Sequence, residues 1–365
     1  MSRHLHGKRR ISVDLESDSY HNYGEKICLM QISSDSRIYI VDALKVDMAP
    51  IASLMQDPSK EKVFHDVDYD GRMLLTYLGV KPAPIFDTMI AARILGREKV
   101  GLADLLSEYF DVTLDKAFQK ADWSRRPLGE NMLSYAAQDV AHLLPLRDLM
   151  EKEIGGMSRS GWAREEFSRL VDNLEAMPER RATFLRVKGA RELSPRELAV
   201  LQKLLDWREG EAKKLDLPSF KIVGTERLLR VAQLHPRGHG QLQRSGILTD
   251  RQIARFGRGI NRAVEKGMKV PQAELPSFPE PVRHKRDYIA ERLLRCFKKA
   301  RDSRAKELDM DPGFLMPNAM LKSLARVRPR DLAGIEGSGL LKEWQLEVMG
   351  DSLAACLQKE GKRQS

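Results

Sequence analysis

Nowhere in the 365 residues does an apolar run approach the roughly 20 residues that a bilayer-spanning helix needs, so no membrane segment is expected. The basic start, residues 1–10, is followed by no apolar stretch that could serve as a secretory leader, because Ile11 opens a segment carrying Asp14 and Glu16. A cytoplasmic protein, working as a monomer, is the simplest expectation. Cysteine is scarce: Cys28, Cys296 and Cys356 lie far apart, match no zinc or redox spacing, and read as buried free thiols. Strand patterns are also missing after residue 151, where Leu, Ala, Arg, Lys and Glu recur at helical spacing and predict an all-α half.

What is present suits two or three compact domains. The length exceeds one ordinary core, and 42% hydrophobic with 31% charged residues is normal for a globular chain. The net charge of +10 is unevenly placed. Residues 1–150 hold 19 Lys+Arg against 22 Asp+Glu, hence −3, and residues 151–365 hold 43 against 30, hence +13. An acidic-leaning domain joined to a basic one suggests a polyanion held by one part and processed by another.

Segments 11–16, 27–33 and 37–42 are short β-rich runs separated by polar turns, predicting three neighbouring strands. After Pro50 the pattern alternates: a helix, a strand at 62–65, a helix through Leu74 and Leu78, an extended piece at 84–87 leading into a helix over 88–95, and a helical pattern over 130–150. That order predicts an α/β domain with a mixed sheet. The basic half matches itself at an offset of 93. Ala212-Lys213-Lys214-Leu215-Asp216 falls on Ala305-Lys306-Glu307-Leu308-Asp309, and the same offset pairs Leu228 with Leu321, Ala232 with Ala325, Pro236 with Pro329, Ser245-Gly246 with Ser338-Gly339, and Gly257 with Gly350. Two related helical modules are expected, separated by an extended Pro-rich linker at 271–281.

Four acids stand where a strand or a helix can aim them at one point. Asp14 and Glu16, two apart on a strand, project from one face. Asp70 opens a helix, and Asp139 lies in a helix with Tyr135 one turn earlier on the same face. Singly, each has an ordinary explanation, such as an exposed acid, a helix cap or a core tyrosine. Together they repel, and a fold tolerates such a cluster chiefly when cations neutralise it. Oxygen-only ligands favour a hard divalent ion, Mg²⁺ or Mn²⁺, over zinc. Two such ions, roughly 3.5–4 Å apart, would stabilise the attacking water and the departing oxygen of a phosphoryl displacement. Tyr135 would then orient the water.

The segments VDLES, CLMQIS, VFHDVDYD, IFDTMIAARILG, DWSRRPL and YAAQDVAHLLPL, spanning most of 11–146, resemble in order the exonuclease domain of the RNase D family within the DEDD superfamily. Asp14 and Glu16 match its first motif, Asp70 after His65 its second, and Tyr135 with Asp139 its third. The tyrosine marks the DEDDy subgroup, whose alternative carries a histidine where this chain has Ser134. The resemblance implies an RNase H-like fold and two-metal hydrolysis from the 3′ end, releasing nucleoside 5′-monophosphates. Asp14 would contact both metals, Glu16 and Asp139 would help hold the one that activates water, and Asp70 would support the second. Trp123 reads equally as a packing anchor or a wall of the RNA channel, and Arg126 as a structural ion pair ahead of a phosphate contact. Phe86, His65 and His142 read as structural. Two features depart from the family: Leu15 stands where threonine is more common, and family members carry a strand and helix before the first motif, so either the chain begins upstream of Met1 or that layer is absent.

The two modules resemble HRDC domains shared by RNase D and RecQ-type helicases, the first more closely. The expected layout is an exonuclease domain at 1–155, a helical linker at 156–193, a first HRDC domain at 194–268, a Pro-rich linker at 269–286 and a second, divergent HRDC-like domain at 287–365. A basic stretch at 283–306 offers Lys285, Lys298 and Lys299 as phosphate contacts. The resemblance implies RNA with a single-stranded 3′ end, precursor tRNA foremost. Alternatives are a DNA 3′→5′ exonuclease of repair and an inactive RNA-binding protein.

Overall fold

A computed structural model describes residues 1–115, 117–178, 182–280 and 286–362. A short helix α1 (Ser2–His6) precedes strands β1 (Arg10–Ser17), β2 (Ile27–Ser34) and β3 (Arg37–Asp42). Then come α2 (Ala49–Gln56), β4 (Glu61–Phe64), α3 (Val67–Leu78), β5 (Ile85–Asp87), α4 (Thr88–Ile94) and α5 (Leu102–Phe110). The strands form one sheet in the order β3-β2-β1-β4-β5. β1 pairs antiparallel with β2 and parallel with β4, so the expected meander and the alternating half meet at the strand that carries Asp14 and Glu16. β2 is buried at every position, which its apolar ICLM run permits.

The helical pattern over 130–150 is two helices, α6 (Glu130–Ala141) and α7 (Leu143–Gly156), meeting at His142. Helix α5 was not foreseen, nor were two buried lysines. Lys60 donates to the Leu5 carbonyl at 3.0 Å and to that of Lys8, closing the C-terminal end of α1 against the sheet. Lys62 donates to the carbonyls of Asp57 and Lys60, and burial pulls its ammonium down to about 8.

Helix α8 (Ser160–Asp172), expected as linker, belongs to the first core, where Ala163, Phe167 and Val171 are buried. Phe184, Ala190 and Leu193 belong instead to the second core. Among the described residues no strand follows β5. The first module comprises α9 (Pro195–Leu215), α10 (Ser219–Ile222), α11 (Thr225–Leu234), α12 (His239–Arg244) and α13 (Asp250–Met268). The second comprises α14 (Tyr288–Glu307), α15 (Pro312–Leu315), α16 (Asn318–Val327), α17 (Leu332–Gly337) and α18 (Glu343–Gly361).

The repeat extends to single interactions. Buried Arg208 donates to Val223 O and Thr225 Oγ1, and buried Arg301, 93 residues on, donates to Met316 O and Asn318 Oδ1. Left-handed backbone recurs at Asp216 and Asp309, His235 and Arg328, Gly246 and Gly339.

The cysteine expectation needs correction. Cys296 and Cys356 form a disulfide between α14 and α18, 60 residues apart with Cα atoms at 5.8 Å, and only Cys28 is a buried free thiol. Sequence spacing gave no sign of it because the pairing depends on two helices lying side by side.

Candidate active site

Three elements bring the acids together. A carboxylate oxygen of Asp14 and one of Glu16, on β1, lie with one of Asp139, on α6, all within 4.8 Å of one another. Asp70, buried on the first turn of α3, stands outside this trio, yet the charges of Asp14 and Glu16 bear on it.

The positioning is traceable. Asp87, at the end of β5, accepts from Val67 N at 2.7 Å and Ile90 N at 2.9 Å, so one buried carboxylate ties the starts of α3 and α4 together. Asp66 takes a left-handed turn into α3 at φ 64°. Helix α6 is fastened to β1 where Ser12 Oγ donates to the Val140 carbonyl at 3.0 Å, one residue from Asp139.

Arg126 holds the loop before α6. It binds both Asp42 oxygens at 2.6 Å and donates to the carbonyls of Cys28 at 3.1 Å and of Trp123 and Arg125 at 2.7 Å each. All five guanidinium donors are thereby engaged, and Asp42 is held below the usual carboxylate range. Trp123 is 1% exposed, packs with Cys28, Leu29 and Ala136, and lies 6.1 Å from the Tyr135 ring. Arg126 thus ties this loop to β2 and β3, the structural ion pair expected of it, with its side chain 17% exposed, and Trp123 packs against Ala136 of α6, as the anchor reading requires.

The electrostatics fit a cation site. Burial first, then the charge of Asp139, pushes Asp14 up to about 8. Burial, Asp14 and Asp139 raise Glu16 to about 9; burial lifts Asp139 to about 6 and Asp70 well above its ordinary value. Among the described residues, no lysine or arginine stands among the leading causes of these shifts. A converging, all-oxygen donor set of this kind is the donor chemistry of a hard divalent ion. Gln31, opposite Asp14 across β1 and β2 and therefore on the same face, is fully buried, with neither amide atom partnered among the described residues. It lies within the CLMQIS segment, where its own spacing carries no signal of a site.

Tyr135 lies one turn before Asp139, half-buried, and burial and the neighbouring acids push its hydroxyl upward, so it stays a phenol. His65 Nδ1 and Thr88 Oγ1 are 2.9 Å apart, and burial lowers this histidine to about 4, a neutral structural ring. His142 packs 5.7 Å from Phe110.

Among the expected phosphate contacts, Lys298 and Lys299 lie on α14, and Lys285 lies outside the described residues. Much of the remaining charge on and before α14 is spent internally: Arg286 pairs with Glu291, Arg292 with Glu360, Arg301 with Asp302 and Arg304 with Glu307. The denser free charge is on α13. Arg251, Arg255, Arg258, Arg262, Lys266 and the capping Lys269 recur every three or four residues along one exposed face. The 3.6 periodicity of these cations is present in the sequence, but the run at 283–306 is the more conspicuous signal there.

A family model described as 3′-5′ exonuclease matches residues 1–155, and one described as HRDC domain matches 197–264 and 290–357. Ribonuclease D of Gluconacetobacter diazotrophicus is 30% identical over 356 residues, covering 96% of this chain and 88% of that protein. The crystal structure of Escherichia coli RNase D, described as an exoribonuclease involved in structured RNA processing, superposes with a TM-score of 0.71 at 25% identity, covering 98% of this chain and 95% of that one. The catalytic core of RRP6 from Trypanosoma brucei follows with a TM-score of 0.66 at 27% identity, over 73% of this chain and 76% of that core. With the acidic cluster in place and both domain types matched, the chain belongs to the ribonuclease D family and is a divalent-metal-dependent 3′–5′ exoribonuclease.

Proposed function

We propose that this enzyme trims single-stranded 3′ ends of structured RNA, precursor tRNA among them, releasing nucleoside 5′-monophosphates with two Mg²⁺ or Mn²⁺ ions. The observation that carries the reading is the meeting of Asp14, Glu16 and Asp139 oxygens within 4.8 Å, with the charges of Asp14 and Glu16 bearing on Asp70. Asp14, Glu16, Asp139 and Asp70 would hold the ions, with Asp14 as the shared ligand, Glu16 and Asp139 on the water-activating side, and Asp70 supporting the other. Bound there, the ions supply charge neutralisation for the attacking water and the leaving oxygen. Tyr135, a phenol throughout, aims the water by hydrogen bond and does not take its proton. The α13 stripe and, on α14, Lys298 and Lys299 hold phosphates of the folded part of the RNA. What the Escherichia coli relative is said to process supports a structured substrate.

The test is incubation of the purified chain with 3′-extended tRNA and Mg²⁺, reading product length over time beside a DNA of matched 3′ tail. Stepwise shortening of the RNA is expected, with Asp14→Asn abolishing turnover while binding persists. Faster loss of the DNA, or near-normal rates in Asp14→Asn, would reject the reading.

A further inference from the structure

The first helical module reaches the carboxylate cluster at one point. A cavity of about 550 Å³ beside Glu16 is walled by Ser17 and Tyr20, by Tyr69 of α3 and by Phe220 of α10. The three rings remain 52%, 41% and 57% exposed respectively. Rings left so open forgo burial worth about 25 cal/mol per Å² of apolar surface, and clustered exposure of this kind marks a binding surface. Among the described residues none of the three is in contact with another ring.

Their placement is fixed by polar contacts. The Tyr69 hydroxyl sits 3.1 Å from Ser17 Oγ and 3.5 Å from Glu25 Oε2. The loop that carries Tyr20 is tied to the module, since Tyr23 N donates to Asp216 Oδ1 at 3.2 Å and Lys221 Nζ lies 3.4 Å from His21 Nδ1. These two contacts hold the segments that carry Tyr20 and Phe220 side by side, although the two are far apart in sequence.

The duplication separates what the module's fold needs from what it does not. At the offset of 93, Ser219–Ile222 corresponds to Pro312–Leu315. Ile222 and Leu315 are both buried, whereas Phe220 corresponds to Gly313. The apolar anchor is required twice. The exposed ring occurs only in the copy that faces the acids.

We propose that Tyr20, Tyr69 and Phe220 form a stacking platform for unpaired bases of the strand entering the active site, with Phe220 lent by the first module. The proposal deepens the RNA-trimming reading and rests on it. A ring face accepts any base, because every base presents a π-face. Bases inside a duplex already cover one another's faces, so such a platform favours a single-stranded tail without reading its sequence.

The experiment uses the full chain and fluorescent single-stranded RNA, with Kd measured by anisotropy in EDTA and kcat and KM measured with Mg²⁺. Phe220→Ala and Phe220→Leu are expected to raise Kd and KM roughly 5-fold or more with kcat nearly unchanged, and Phe220→Trp to restore both. An RNA abasic at the platform position should bind wild type and Phe220→Ala alike. Wild-type affinity in both Phe220→Ala and Phe220→Leu, or an equal loss on intact and abasic RNA, overturns the platform. A fall in kcat at unchanged KM overturns it too, since that would mark a structural role. The Kd comparison needs no turnover and stacking needs only a base, so preferential hydrolysis of a matched DNA counts against the RNA reading alone.

Discussion

At the residue scale, the acids that define the site also destabilise the metal-free fold. Each has a folded-state value above its unfolded one, so the folded state binds more protons and stability falls as pH rises. The loss runs from an ordinary value near 3.8 up to about 6 for Asp139 and about 8 for Asp14, and from 4.5 up to about 9 for Glu16. In EDTA the Tm should therefore decline between pH 5 and pH 9, with a smaller decline in Asp14→Asn. Added Mg²⁺ should raise Tm more at pH 8.5 than at pH 5, because at the lower pH protons occupy the sites. Equal Mg²⁺ stabilisation at both pH values would dissociate the acids from metal binding. Asp14, Glu16, Tyr135 and Asp139 were legible in the sequence because spacings of two on a strand and four on a helix put side chains on one face. Asp70 was legible as the acid that opens a helix and through the family resemblance, but what positions it, the turn at Asp66 and the bonds of Asp87, was not. Phe220 was not legible, because nothing in local spacing says which helix of the module lines the cavity beside Glu16.

At the scale of elements, α13 and α14 show why counting cations along a sequence misleads. The run at 283–306 is dense in charge, but Arg292 is spent on Glu360 of α18 and Arg301 on the module's own backbone. A linear sequence does not show which helix will supply the carboxylate. The α13 cations can be read on one face from period alone, and no ion pair involves them among the described residues. Arg255→Ala with Arg258→Ala should weaken tRNA binding and reduce the slope of log K against log salt by about 0.7–0.9 per cation removed. Lys298→Ala with Lys299→Ala should reduce it less, and Phe220→Ala should leave it unchanged because stacking releases no counterions. If the α13 double variant keeps the wild-type slope, the stripe is merely a solvated face. The sheet order shows the opposite case. Three β-rich runs followed by strand and helix in alternation were enough to place every strand along the chain, because short β-branched runs bounded by turn residues are a local signal.

At the scale of the whole molecule, one duplicated module has been put to two uses. The second copy docks on the exonuclease domain through α8. Glu166 is buried and accepts from Lys342 Nζ at 2.5 Å and Trp344 Nε1 at 2.7 Å, Trp162 stacks on Trp344 at 5.1 Å, and Glu165 accepts from the backbone amides of Glu343 and Trp344 that begin α18. Backbone also meets backbone: a Cβ at Gly96 would lie 1.8 Å from the Asp309 carbonyl, at a φ of +80° that L side chains rarely adopt. Trp344 corresponds by the offset to Arg251, so the position that docks in one copy starts the free cationic stripe of the other. Glu166→Ala would leave Lys342 and the Trp344 indole without their carboxylate. Lys342 is 25% exposed, so water recovers part of the loss, and a cost of about 2–3 kcal/mol is expected at this interface. The consequence should be local. Protease sensitivity and hydrogen exchange should rise around α8 and the start of α18, while hydrolysis of short single-stranded RNA stays within about 2-fold of wild type, since β1, α3 and α6 carry the site and none of them holds this contact. Loss of short-RNA hydrolysis in a variant that still folds would mean that the docked module acts on the carboxylates and is more than a brace.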